Sequence, residues 1–80
     1  MIMPSKHLQE ERALLVVGSE VLRLLNEPKT VSRLWDDLKR YRQARNNFLI
    51  SYDWYILSLD MLYALGVINL DQGRLLKVSQ

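Results

Sequence analysis

The stretch from Ser51 to Gly66, SYDWYILSLDMLYALG, constrains this chain more than any other. Its spacing and its flanking residues predict a helix. Ser51 or Asp53 caps the start with a favourable partial charge, and Gly66 ends it in the left-handed conformation that terminates helices. Placed at 100° per residue, its apolar side chains fall into two arcs. Tyr55, Ile56, Leu59, Leu62 and Tyr63 form one; Trp54, Leu57, Met61 and Leu65 form the other, with Ala64 beside it. Ser58 separates the arcs on one side and Asp53 and Asp60 on the other. A helix apolar nearly all round is normally buried nearly all round. In an 80-residue chain, little else is available to cover it. Two arrangements meet this demand. Either the rest of the chain covers both arcs, or one arc belongs to the core and the other to a second protein. Trp, Tyr and Met are enriched at protein interfaces, which favours the second arrangement. Trp54, Leu57, Met61 and Leu65 are therefore the candidate partner interface.

The remaining elements follow from pattern and punctuation. Residues 1–9 hold Pro4 and no clear period, and read as an extended N-terminal arm on a single domain covering 1–80. From Glu10 to Leu25, Leu14, Val17, Val21, Leu24 and Leu25 recur at helical spacing, and Leu15 and Leu22 widen that stripe. Gly18 inside it costs about 1 kcal/mol relative to alanine, and either admits a close neighbour or is neutral. The segment NEPKT breaks the helix at Pro28. Thr30 then caps a second helix running from Val31 to about Arg45, with Val31, Leu34, Trp35, Leu38 and Tyr41 on one stripe. On its other side Arg33–Asp37 and Asp36–Arg40 are expected as i,i+4 ion pairs. Asn46-Asn47 marks a turn. After Gly66, two short runs flank Asp71-Gln72-Gly73, which reads as a three-residue hairpin loop, and Lys29-Thr30-Val31 is placed to add a small third strand. The fold class is mainly α with a small β-hairpin, in the order of a winged helix-turn-helix: three helices and a C-terminal wing.

No motif for catalysis is present. Neither a Walker-type phosphate loop nor a dinucleotide-binding glycine pattern occurs. The six serines have only His7 as a base, on the arm. Asp53 and Asp60 lie two turns apart, about 10 Å along a helix axis, too far to share a proton. With no cysteine and one histidine, a zinc site is not expected, nor is any other cofactor. The chain has no membrane-length apolar run and its start does not read as a signal peptide; lack of cysteine fits a reducing cytoplasm.

A winged helix that reads DNA aims cationic or amide side chains of its third helix at base edges. Here that helix carries no lysine or arginine, and its formal charges are two carboxylates. The net charge of +2 is only mildly basic. Lys39, Arg40, Arg42 and Arg45 cluster at the end of the second helix, and Arg74 and Lys77 sit on the wing. These six are the candidates for contact with nucleic-acid backbone, without sequence readout.

The segments MPSKH, ERALLVVGSEVLRLL, TVSRLWDDL and YDWYILSLDMLYALGVINLDQGRL together cover nearly the whole chain. They resemble the small middle component, family six, of bacterial ABC-three-component systems, which overlap with those called Lamassu. The most specific part is D-W-x-x-x-x-L-D-x-L-Y-A-L-G-x-I from Asp53 to Ile68. The resemblance implies a role in defence against phages and plasmids, beside an SMC/Rad50-like ABC ATPase and an effector that is often a nuclease. It carries over no catalytic residue. The expected function is that of a non-catalytic adaptor subunit in a cytoplasmic hetero-oligomer, without membrane contact and with non-specific DNA contact through the complex. Two alternatives stand beside it: a small DNA-binding winged-helix regulator, which requires basic residues to converge on one groove-facing surface, and an antitoxin-like regulator of an effector.

Overall fold

A computed structural model describes the backbone of residues 4–45 and 50–78, and side chains from Arg12 onward. Three helices, α1 (Pro4–Leu24), α2 (Val31–Ala44) and α3 (Tyr52–Ala64), precede an antiparallel hairpin of β1 (Ile68–Asp71) and β2 (Arg74–Lys77). The expected order of elements is the observed one.

The first helix departs from expectation at its start. Residues 4–9, read as an extended arm, are helical, so α1 has 21 residues and a length of about 31 Å. Pro4 occupies the first helical position, where its missing N–H costs nothing and its fixed φ is already helical. Absence of hydrophobic period over 4–9 means only that this end of the helix has no apolar stripe to bury. Residues 1–3, His7's side chain and the expected Asn46-Asn47 turn lie outside the described residues.

Caps set the other boundaries. Thr30 Oγ1 accepts the Arg33 N–H at 3.1 Å, and Ser51 Oγ accepts the Trp54 N–H at 3.2 Å. At the end of α3, Gly66 has φ +77°. Its N–H donates to Tyr63 O, and the Val67 N–H donates to Leu62 O, the two bonds of a Schellman closure. The hairpin is tighter than expected. Asp71 pairs directly with Arg74, leaving a two-residue loop in which Gln72 (φ +52°) and Gly73 (φ +79°) are both left-handed. That is the type I′ geometry, whose twist matches the flanking strands. Lys29 adds the small third strand as a single antiparallel bridge: its N–H donates to Leu75 O at 3.0 Å and its carbonyl accepts the Leu75 N–H at 2.7 Å.

The core gathers Val17, Val21 and Leu25 from the α1 side, Leu34 and Leu38 from α2, Tyr55, Leu59 and Leu62 from α3, and Ile68 and Leu75 from the hairpin. Trp35 stacks on Tyr55 with ring centroids 5.0 Å apart, and Tyr52 meets Trp35 edge-on at 5.4 Å. Burying Tyr55 requires a partner for its hydroxyl, which donates to Val31 O at 2.8 Å and so ties α3 to the first turn of α2.

The buried face of α3 is rotated from the expected arc. Tyr55, Ser58, Leu59 and Leu62 are buried, Ile56 is half-buried and Tyr63 is 58% exposed. Ser58, expected as a polar divider between arcs, lies inside the core. A serine is tolerated there because its Oγ donates to Tyr55 O at 2.7 Å, leaving no unsatisfied group.

Candidate functional site

The rotation of α3 decides what its second arc can do. Gly18 of α1 faces Met61 and Leu62; a Cβ built on Gly18 would sit 2.9 Å from Met61 Cε and 3.5 Å from Leu62 Cδ2. Without a side chain at 18, the α1 backbone closes onto α3, and Met61 fills the seam between the helices. Met61 is consequently half-buried; Trp54, two turns away, is half-buried too, while Leu57 and Leu65 are exposed at 48% and 64%. The four expected interface residues thus split into two kinds. Leu57 and Leu65 stand in solvent, whereas Trp54 and Met61 also pack within the chain.

The apolar surface does not stop at the seam. At 3.6 residues per turn, Leu15 and Leu22 lie within about 60° of Gly18 on α1. Leu15 is 59% exposed and Leu22 half-buried. Both read from sequence as a widening of the core stripe. Gly18, in the middle of that stripe, was the available signal that α1 would share an outer face with α3. The result is an apolar face crossing two helices, with Leu15, Leu57 and Leu65 as its exposed members.

The six basic candidates are not one patch. Arg42 is turned inward: its guanidinium binds Glu20 of α1, and its side chain is only 11% exposed. Lys39 lies over Trp35 at 5.3 Å and 3.5 Å from Asp36, and Arg45 lies over Tyr41 at 4.6 Å. Arg40 is mostly exposed, with Asp37 at 3.7 Å. Arg74, on the hairpin, borders the same depression as Arg33 at the opposite end of α2. Since Arg33 and Arg45 are separated by about 18 Å of helix, the wing cations and the α2 C-terminal cations form two groups. On α3, Asp53 and Asp60 are exposed and form no ion pair among the described residues.

The expected i,i+4 pairs of α2 are replaced by another arrangement. Asp37 binds Lys29 at 2.7 Å and has Arg40 at i+3, and Asp36 pairs with Lys39 at i+3. Lys29 comes from the segment before α2, where no helical spacing signals it. Its Nζ also donates to Leu24 O at 2.8 Å, closing the C-terminal end of α1. The Lys29 hydrogen bond, opposed by desolvation and aided by its charge, holds the Asp37 carboxyl below its ordinary range. Burial pushes the Tyr55 hydroxyl above its ordinary range.

Among the described residues no three His, Cys, Asp or Glu side chains are grouped to hold a metal ion. No described helix is long and apolar enough to cross a membrane. Fold and surface together define a small three-helix protein with a terminal hairpin, whose distinguishing feature is an apolar face shared by two helices. The chain belongs to the family described as ABC-three component (ABC-3C) system Middle Component 6, whose model matches residues 3–79. No curated protein and no solved structure matches it.

Proposed function

We propose that this protein is a non-catalytic adaptor subunit, which bridges an SMC/Rad50-like ABC ATPase and an effector in a bacterial defence complex directed against phages or plasmids. Membership in a middle-component family supports a role among partner proteins. The observation that carries the reading is the exposure of Leu15, Leu57 and Leu65 around the Gly18–Met61 seam. Three large aliphatic side chains on adjoining helices make a surface that a partner covers at a gain of about 25 cal/mol per Å². The order of elements suits a winged-helix adaptor rather than a DNA reader, because the exposed polar groups of α3 include two carboxylates and no cation. In the assembled complex Lys39, Arg40 and Arg45 supply a backbone-facing charge, with Arg74 and Lys77 as a separate group on the wing.

The test is co-expression with the companion components. Leu57→Asp with Leu65→Asp leaves the free chain folded and removes it from the purified complex. Retention of the doubly substituted chain at wild-type stoichiometry overturns this assignment.

A further inference from the structure

The two helices that share the apolar face carry opposite charge along its outer rims. On α1, Gly18 meets α3, and Leu15 lies about 60° outward from it. Arg12 and Arg23 lie about 60–80° further round in the same direction. On α3, Met61 fills the seam, Leu57 lies about 40° outward, and Asp53 and Asp60 lie about 80–100° outward. All four charged side chains are exposed, and none forms an ion pair among the described residues. Across the face the order is therefore two arginines, Leu15, the Gly18–Met61 seam, Leu57 and two carboxylates. Arg23 in the last turn of α1 and Asp53 in the first turn of α3 also suit their helix dipoles. Arg12 and Asp60 have no such role.

An apolar band with a basic rim and an acidic rim matches one occupant. A helix presents an apolar stripe with a flank on either side, and its flanks can carry opposite charge. A strand points its side chains to two opposite faces and has no such flanks. A second copy of the chain is a poorer match. The three leucines, Leu15, Leu57 and Leu65, at 59%, 48% and 64% exposure, together offer less surface than two fully exposed leucines. A stable dimer interface buries roughly 800 Å² on each side. A single helix laid between α1 and α3 covers these leucines and adds to the three helices of the fold. Met61, unbranched and already at the seam, adapts to its side chains.

We infer that this face receives an amphipathic helix of a partner protein, with an aliphatic stripe at helical spacing, basic residues on one flank and acidic residues on the other. The basic flank lies along Asp53 and Asp60, and the acidic flank along Arg12 and Arg23. Because the two rims differ in sign, the docked helix lies in one direction only. Apolar burial supplies the attachment, and the flanks supply selection and direction. The inference rests on the reading that the chain holds a partner on Leu57 and Leu65, and names that partner's chemistry.

The probe is the acetylated, amidated peptide Lys-Ala-Glu-Leu-Ala-Glu-Leu-Lys-Ala-Glu-Leu-Lys-Ala-Leu-Lys-Ala-Glu-Leu, titrated into the isotopically labelled full chain while backbone amide resonances are followed. In a helix its leucines form one stripe, its lysines one flank and its glutamates the other. Saturable shifts centred on Leu15, Gly18, Leu57 and Leu65 are expected. Leu57→Asp with Leu65→Asp should abolish them. Asp53→Lys with Asp60→Lys, and separately Arg12→Glu with Arg23→Glu, should each weaken binding about fivefold or more. If either double variant fails to fold, Asp60→Lys and Arg12→Glu alone decide the matter. A second peptide, with glutamate at every lysine, should bind Asp60→Lys more tightly than the wild-type chain, a gain that Asp71→Lys on the hairpin should not give. Absence of saturable shifts, unchanged affinity in either rim variant, or no gain of the second peptide on Asp60→Lys overturns the proposal. So does sedimentation showing that the free chain dimerises through Leu57 and Leu65, which would make the occupant a second copy. If the peptide fails while Leu57→Asp with Leu65→Asp still removes the chain from the complex, the docked helix falls and the adaptor reading stands. If the complex is retained as well, both fall.

Discussion

Lys29 Nζ lies 2.7 Å from Asp37 Oδ2 and 2.8 Å from Leu24 O, joining the end of α1 to the middle of α2 through one largely buried ammonium. The same residue's backbone closes the β2 edge against Leu75. Three parts of the fold therefore meet at a single lysine. Lys29→Met keeps the stem and removes the charge, leaving Asp37 with the more distant charges of Arg40 and Arg33. A cost of about 2–4 kcal/mol in denaturant-measured stability is expected, at or below the usual range for breaking a buried pair because Asp37 is partly solvated. Lys29→Met with Asp37→Leu should recover more than half of that loss. An additive double mutant would show that the two residues do not act as a pair.

Acid and base should destabilise the chain through different groups. Asp37 has its carboxyl pKa lowered in the folded state, mainly by the Lys29 hydrogen bond. Its contribution is present above the unfolded value near 4 and is lost as pH falls through the lower folded value. Tyr55 is raised by burial. Its contribution is complete below the unfolded value near 10 and declines as pH rises beyond it, because only the unfolded state ionises there. Melting curves from pH 2 to 11.5 check both, at about the limits these reference values set. In Asp37→Asn the acid limb flattens; in Tyr55→Phe the alkaline limb flattens, at the cost of the Val31 bond.

Gly18 tests the seam. Gly18→Ala gains about 1 kcal/mol of helix propensity and pushes on Met61 Cε, the free end of a flexible side chain. The two effects should nearly cancel, leaving stability within about 1 kcal/mol of wild type. Gly18→Leu reaches Leu62 as well and should cost about 1–3 kcal/mol by overpacking. Adding Met61→Ala should relieve part of the Gly18→Leu penalty; if it does not, the seam is not where α1 and α3 meet.

Much of this architecture is legible in the sequence because it depends on local chemistry. Thr30 and Ser51 cap their helices, and Gly66 ends α3, through contacts no more than five residues distant. The stripes Val17–Val21–Leu25 and Leu34–Leu38 follow from spacing alone. What spacing does not contain is the rotation of α3. With apolar residues nearly all round, the buried face is chosen by what approaches, and the close approach at Gly18 draws Ser58 inward and leaves Tyr63 outside. Lys29 was hidden for the same reason: a lysine before a helix reads as solvent-facing, and only the tertiary fold brings Asp37 and Leu24 to it. Arg42 likewise joined a basic cluster by sequence proximity, yet Glu20, 22 residues away, takes it inward.

That separation sharpens the test for nucleic acid. The free chain should show no sequence-dependent affinity for duplex DNA, since α3 presents no base-reading cation. In the assembled complex, Lys39→Glu, Arg40→Glu and Arg45→Glu together should lower DNA affinity equally across sequences and flatten its dependence on salt. Arg42 is left unchanged, because its loss would unpair Glu20. Arg74→Glu with Lys77→Glu, on the distant wing, should be measured separately. An unchanged salt slope in both sets would leave these residues as ordinary solvated charge. Sub-micromolar, sequence-dependent binding abolished by α3 substitutions would overturn the adaptor assignment.

The four residues first expected at the interface should behave as two pairs. Trp54 and Met61 are half-buried, and Met61 fills the Gly18 seam, so truncating them removes packing inside the chain. Trp54→Ala and Met61→Ala should each cost about 1–4 kcal/mol of stability, below or within the range for fully buried side chains. Leu57 and Leu65 contribute little to the free chain, and Leu57→Ala and Leu65→Ala should change its stability by less than about 0.5 kcal/mol. At a desolvated interface, the same truncations would cost about 1–2 kcal/mol or more each in binding. Melting temperature of the free chain and co-purification with the proposed ATPase partner, measured on all four variants, separate the two pairs. Loss of complex in Leu57→Ala and Leu65→Ala with unchanged melting places the partner on this face. If those two variants assemble normally, and Leu15→Asp does as well, the face is not covered in the complex and the partner must engage the domain elsewhere.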